Sequence, residues 1–320
     1  MKIGIAGSGA FGTALATSLA RNGPVTLWSR SKDQVTDICQ NGRNSARLPG
    51  IDLPDEVTAT TDFGAIADAD AVLLAVPMQH MRGILTANAD RLGRTPLVAC
   101  CKGIELKTGK GPVSVISDTV PDAVPALLTG PSFAHEIARG LPTAMTLACS
   151  DPTIGGQLQK LLSTETIRLY RTTDTTGAEI GGALKNVMAI ACGAVIGAGL
   201  GNSARAALMT RGYAEMVRMA AVLGAHPDTL AGLSGFGDLA LTCTSEQSRN
   251  FRLGLAIGRG DAFDESVTVE GAATARAVAE QSKSMNIEMP ITESVVALLD
   301  RKQTLNQVVS QLLNRSLKEE

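Results

Sequence analysis

The sequence predicts an α/β N-terminal domain of the Rossmann type with a parallel-rich sheet, followed by an all-α C-terminal domain. Three observations carry that expectation. A glycine fingerprint, Gly7-Ser8-Gly9-Ala10-Phe11-Gly12, sits between a short apolar strand and an amphipathic helix. Apolar strand-length runs then alternate with helical or loop segments as far as Arg171, the pattern of a parallel sheet covered on both faces. After about Thr172 the β-pattern stops, and the rest reads as helices and turns. The boundary falls near Thr173, giving a dinucleotide-binding domain over 1–173 and a helical substrate-binding and catalytic domain over 174–320. A chain of 320 residues is long enough to give each its own core.

The first element, KIGIAG, leads straight into the fingerprint. Gly7 makes the turn, Gly9 lets the backbone approach a pyrophosphate, and Gly12 lets the helix pack on the strand. The helix N-terminus that follows, at Ala10 and Phe11, offers free N–H groups and a positive dipole end to phosphates. The second strand, PVTLWSR, should end near an adenosine ribose. An NAD-preferring site usually places Asp or Glu there, whereas this strand ends in Ser29-Arg30. An arginine at that point can accept a 2′-phosphate, which favours NADP(H); the alternative is an exposed arginine paired with Asp33.

Further strands are expected at 57–60, 71–76, 96–101, 125–130, 143–149 and 167–171. In such sheets ligands bind beyond the carboxyl ends of the strands. Three of those ends carry unusual residues: Val76-Pro77-Met78, Cys101-Lys102-Gly103 and Gly130-Pro131-Ser132. Lys102 follows a buried strand directly, so it places a cation at the crevice rim.

The second domain opens on the stretch 174–216. Asp174 can cap the incoming helix, and residues 187–201 are all apolar or Gly, so the helix should be central and buried. That run falls short of the ~20 residues a membrane-spanning helix needs and is closely flanked by Lys185 and Arg205. Lys185 enters a buried helix, where its charge is costly unless it is paired, used, or snorkelled to water. Farther on, Gly235 and Gly237 precede Asp238, and Thr242 lies one helical turn beyond. Ser248-Arg249-Asn250 offers a hydroxyl, a guanidinium fork and an amide in succession, a set that suits phosphate.

Bulk properties narrow the class. A net charge of −2 gives no basic field for nucleic acid or an anionic membrane. The six cysteines include no C-x-x-C and lie mostly in apolar segments, as in a reduced, cytoplasmic compartment. The first strand begins at Lys2, which leaves no room for a signal peptide. His80, His135 and His226 have no ligand spacing among themselves, so no metal is expected.

In order along the chain stand GSGAFGTAL, CKGIE, TGPSFAHEIARGLPTA, GGALKNVMAIACG, TRGYAEM, GFGDLALTCT, QSRN, VEGAAT and EMPITE. Together they resemble, end to end, the bacterial NAD(P)-dependent glycerol-3-phosphate dehydrogenase family of the soluble type. The resemblance implies reversible reduction of dihydroxyacetone phosphate to sn-glycerol 3-phosphate for phospholipid synthesis with NADPH or NADH, of which the Ser29-Arg30 strand end favours NADPH. It implies Lys185 as the catalytic lysine, with Lys102 and Asp238 beside it. The implied substrate contacts are Lys102, Gly130, Ser132, Lys185, Asp238, Ser248, Arg249 and Asn250. The implied cofactor contacts are Gly7, Gly9, Ala10, Phe11, Gly12, Arg30, Lys102, Ala134, Arg249, Thr268 and Glu270. Met78 departs from the pattern, standing where the family's Val-Pro-Ser loop has serine. The partner is a small molecule, with neither nucleic acid nor membrane insertion expected, and a homodimer is compatible with the sequence. Two other readings compete. A hydroxyacid or ketopantoate reductase would have no reason to carry Ser248-Arg249-Asn250, and a non-catalytic NADP sensor would have no need of Lys185 and Asp238.

Overall fold

The computed structural model describes residues 2–265 and 267–314. Its first part alternates strand and helix: β1 (Ile3–Ala6), α1 (Ala10–Leu19), β2 (Val25–Trp28), α2 (Lys32–Asn41), β3 (Val57–Thr60), α3 (Gly64–Ala67), β4 (Ala71–Leu74) and α4 (Met78–Leu92). There follow β5 (Leu97–Ala99), α5 (Pro112–Thr119), β6 (Pro125–Thr129), α6 (Ala134–Ala138), β7 (Thr143–Cys149), α7 (Pro152–Leu162) and β8 (Ile167–Thr172). The strands pair in the order β3-β2-β1-β4-β5-β6-β7-β8. Side chains of β1 and β4 are buried throughout, because helices cover both faces of the sheet. This is why those strands are apolar at every position rather than at alternate ones.

Strand β1 pairs with β2 on one side and β4 on the other, Ile3 lying opposite both Val25 and Ala71. The chain therefore runs outward from β1 to β3 and restarts on the other side at β4. That reversal opens a crevice at the carboxyl ends of β1 and β4, where ligands of such sheets bind.

The sheet is parallel-rich, as expected, with one exception: β6 and β7 are antiparallel, and β7 and β8 are parallel again. The connection from β6 to β7 contains only the five-residue α6. Strands β4 and β5 stop short of the expected residues 76 and 101, because the chain leaves the sheet into the loops that carry Pro77 and Lys102.

The rest of the described chain is helical: α8 (Thr175–Gly197), α9 (Gly201–Val222), α10 (Pro227–Ala231), a π-helical turn (Leu233–Gly237), α11 (Asp238–Thr244), α12 (Arg249–Arg259), α13 (Glu270–Ser284), α14 (Pro290–Leu299) and α15 (Leu305–Leu313). Asp174 caps α8, accepting from the N–H of Gly177 at 2.8 Å. Helix α8 is long and apolar enough to cross a membrane by length and composition, but 89% of its most apolar window is buried inside the protein. It is the core of the helical region, with α9, α11, α12 and α13 packed around it. The apolar run 187–201 is not one helix, since α8 ends at Gly197 and the positive φ of Gly199 and Gly201 turns the chain into α9.

The contact of α8 with α12 is made by glycines on both sides. A Cβ on Gly254 would stand 2.9 Å from Cα of Gly193, and one on Gly258 would stand 2.9 Å from Cα of Gly197. Backbones meet directly there, which only residues without side chains permit.

Candidate active site

The three chemical residues come from three separate elements. Lys102 leaves the end of β5, Lys185 lies on α8, and Asp238 begins α11. They converge on one buried carboxylate. Asp238, 1% exposed, accepts from the Lys102 Nζ at 2.6 Å and faces the Lys185 Nζ at 3.0 Å. Lys185 also donates to the Thr242 hydroxyl at 2.8 Å, and that hydroxyl donates to Asp238 at 3.2 Å. Thr242 lies one turn after Asp238 on the same helix, so both point at Lys185. The snorkelling alternative for Lys185 is excluded by its 8% side-chain exposure.

Electrostatics follow from that geometry. Burial brings the Lys185 pKa down to about 8; the Asp238 carboxylate opposes the fall, and the neighbouring Lys102 ammonium adds to it. For Asp238, burial pushes the carboxyl upward. The two ammonium groups outweigh burial and hold it below the ordinary aspartate value. The site therefore holds a lysine that is protonated near neutrality and close to releasing its proton.

The Lys102 side chain reaches the strand end opposite as well, donating to the carbonyl of Gly130 at 3.2 Å. Gly130 has φ +132° and lies so close to β7 that a Cβ would stand 3.1 Å from Cα of Met145. Ser132 donates to that same carbonyl at 3.0 Å, and Ala134 opens α6 two residues later. The loop carrying Lys102 is tied at several points. Gln79 donates to Ile104, Arg82 grips Glu105, and Gln281 of α13 bonds Gly109.

Around Lys102 and Gly103 lies a pocket shared by Pro77, Met78, Thr268 and Glu270. Met78 is buried and begins α4, with its Sδ 3.8 Å from the Cys101 Sγ. A thioether thus fills the position of the expected serine and faces the core. The Glu270 carboxyl is held above its ordinary value by desolvation, against the pull of Arg249, Lys102 and Lys185. That pull places Arg249 and both lysines within electrostatic reach of Glu270.

Ser248, Arg249 and Asn250 start α12 but do different work. Ser248 is the cap, accepting from the N–H of Phe251 at 3.2 Å. Arg249 is exposed at the first helical position. Asn250 is buried and mostly committed: its oxygen accepts from the N–H of Gly271, and its amide donates to Asn186. Toward a phosphate it retains one amide hydrogen and its backbone N–H.

The dinucleotide end fits its proposed ligand. A Cβ on Gly9 would meet nothing within 4 Å, so open space lies where the fingerprint exposes its backbone. Helix α1 has neither a side-chain cap nor an acid in its first turn, although α2, α7 and α8 are all capped. Its N–H groups at Ala10 and Phe11 are left for an anion. The described residues contain no group of acids, histidines or cysteines that could hold a metal.

Sequence reading picked out the lysines, the aspartate and the fingerprint, but assigned no role to Asn186, Thr242 or Gln34. The i, i+4 spacing of Asp238 and Thr242 was a usable signal, and Asn186 adjoins Lys185. Gln34 gave none.

Comparison with known proteins bears on the whole chain. Residues 2–154 match the family model for the NAD-dependent glycerol-3-phosphate dehydrogenase N-terminus, and residues 174–310 match that for its C-terminus. A protein of Ruegeria sp. (strain TM1040) named glycerol-3-phosphate dehydrogenase (NAD(P)+) is 64% identical over 320 residues, covering 100% of both chains. One from Cereibacter sphaeroides with the same name is 60% identical and covers 99% of this chain and 100% of its own. The crystal structure of glycerol-3-phosphate dehydrogenase from Coxiella burnetii superposes with a TM-score of 0.92 at 36% identity, covering 98% of this chain and 99% of that one.

Proposed function

The chain belongs to the NAD-dependent glycerol-3-phosphate dehydrogenase family, and from that premise we propose how its own residues reduce dihydroxyacetone phosphate to sn-glycerol 3-phosphate. The observation that carries the proposal is the pair of ammonium groups held on one buried carboxylate. When bound, NADPH or NADH supplies the hydride to the carbonyl carbon. The Nζ of Lys185 meets the charge that grows on the carbonyl oxygen and gives it a proton, which completes the alcohol. Asp238 and Thr242 fix that Nζ, so the donor spends no reorganisation finding its aim. Lys102 adds a second positive charge and, through Gly130, ties the sheet to the reacting group. Ser132, Ser248 and Asn250 complete the substrate's surroundings, and Arg249 grips the phosphate through its paired donors.

Cofactor contacts are proposed for Gly7, Gly9, Ala10, Phe11 and Gly12 at the pyrophosphate, and for Ala134, Arg249, Thr268 and Glu270 nearer the reacting end. Six cysteines, all free, support a reducing cytoplasmic setting. For assembly we propose a homodimer, with exposed Leu200, Val222 and Leu223 at the two ends of α9 as apolar surface it could cover.

The phosphate role has a direct test. Arg249→Ala is expected to weaken dihydroxyacetone phosphate by about 2–3 kcal/mol through loss of a charge-assisted bond, and dihydroxyacetone far less. Initial rates with the two ketones measure the difference. Equal losses would mean that Arg249 does something other than hold phosphate.

Arg30 is exposed at the end of β2. The alternative pairing with Asp33 does not form; Arg30 is in no ion pair among the described residues. We therefore propose it as a donor to the 2′-phosphate of NADPH. Arg30→Ala should raise the Michaelis constant for NADPH and leave that for NADH nearly unchanged. A common rise would point to stacking on adenine instead.

A further inference from the structure

A compact polar cluster joins the glycine loop to the end of β2. Ser8, between Gly7 and Gly9, and Ser29, just past β2, are both buried, at 6% and 3% exposure. Their hydroxyls lie 2.6 Å apart. Ser29 also accepts from the N–H of Ser31 at 3.1 Å and stands 3.1 Å from the Oε1 of Gln34, which Ser8 reaches too.

The hydroxyl protons favour one orientation of the amide. Two hydroxyls in series need a final acceptor, and the cluster offers one only if the oxygen of Gln34 faces inward. Turning the amide round would leave one hydroxyl proton without an acceptor. With its oxygen inward, Gln34 turns its NH2 group away from the cluster, and that group bonds no acceptor among the described residues.

The place matters because an NAD-preferring site presents a carboxylate to the ribose hydroxyls at the end of the second strand. Here no carboxylate enters the cluster. Ser29, which occupies that strand end, has its hydroxyl fully engaged by Ser8, Ser31 and Gln34 and has nothing left for a ribose. The Gln34 NH2 and the exposed Arg30 are donors at this end of the strand that bond no acceptor among the described residues. A phosphate is an acceptor only, and a neutral NH2 beside a guanidinium complements it without a competing negative charge.

We propose that Gln34 is a determinant of cofactor choice, its amide held by Ser8 and Ser29 so that its NH2 donates to the 2′-phosphate of NADPH. This rests on the NADPH preference proposed above for the end of β2.

The test uses two fragments that differ only in that phosphate, 2′,5′-ADP and 5′-AMP, titrated calorimetrically into the whole protein. The wild type should bind 2′,5′-ADP more tightly. Gln34→Ala should lose about ten-fold in affinity for 2′,5′-ADP and bind 5′-AMP as the wild type does. Gln34→Glu keeps an inward oxygen for the two serines and turns a carboxylate oxygen outward. It should lose more than Gln34→Ala toward 2′,5′-ADP and hold 5′-AMP at least as well as the wild type. A role confined to supporting the loop would weaken both fragments alike in Gln34→Ala and spare both in Gln34→Glu, which keeps the inward oxygen, and that result overturns the proposal. Unchanged 2′,5′-ADP affinity in Gln34→Ala overturns it too. A wild type that fails to prefer 2′,5′-ADP overturns the NADPH reading itself; a preference that survives every change at Gln34 overturns only the role of Gln34.

Discussion

Lys185→Ala is expected to lower turnover about 10²–10⁴-fold, the range for removing a positioned general acid, while NADPH binding followed by fluorescence stays near the wild-type value. The residue lies on α8 beneath the cleft, 8% exposed, with its Nζ shared between Asp238 and Thr242. The pH dependence has a definite sign. Burial has brought this pKa down to about 8, so the protonated donor is present below that pH and lost above it. Ketone reduction should therefore fall as pH rises through about 8. Oxidation of glycerol 3-phosphate, which needs the neutral amine as base, should rise over the same interval. Lys185→Ala should remove both limbs. A variant that kept wild-type turnover, or the same limb near pH 8, would exclude Lys185 as the proton donor.

Asp238→Asn should be the second most damaging change, since it removes the negative charge between a buried ammonium, Lys185 at 3.0 Å, and a part-buried one, Lys102 at 2.6 Å. Breaking a buried pair from one side costs about 3–5 kcal/mol, because the partner's charge stays buried and uncompensated. Here two partners are left. The urea midpoint should fall, and the Lys185 pKa should move further below about 8, carrying the reduction profile toward acid. The stability difference has its own pH sign. The folded-state carboxyl of Asp238 is held below its ordinary value, so its contribution is full above the unfolded pKa and is lost as pH falls through the folded one. Wild type and variant should converge in strong acid. An Asn variant with unchanged midpoint and profile would show that the three charges do not act together.

How much of this was legible beforehand depended on the range of the interaction. The glycine fingerprint and the Asp174 cap were readable because each answers a need of its own backbone within three to five residues. The union of Lys102 with Asp238 spans 136 residues, and nothing in the spacing of either residue announces the other; the family resemblance supplied it. The antiparallel β6–β7 pair escaped because a strand buried on both faces is uniformly apolar whichever way it runs. The end of α8 left no signal for a related reason, since glycine and alanine continue past Gly197 through the turn with no polar break. Gln34 was invisible because its importance lies in which way its amide points, and that is decided by two serines from other segments.

The glycine contact between α8 and α12 has a consequence for substrate size. Lys185 rides on one of these helices and Arg249 on the other. Where Gly193 meets Gly254 and Gly197 meets Gly258, main chain rests on main chain, and no side chain is present to bend or change rotamer. With Lys185 at the carbonyl and Arg249 at the phosphate, as proposed, the helices would act as the jaws of a gauge set to one length, and a substrate with one more carbon in that span would not be admitted by sliding them. Evolving this scaffold toward longer or shorter phosphates would then mean exchanging the groups at the tips of the jaws.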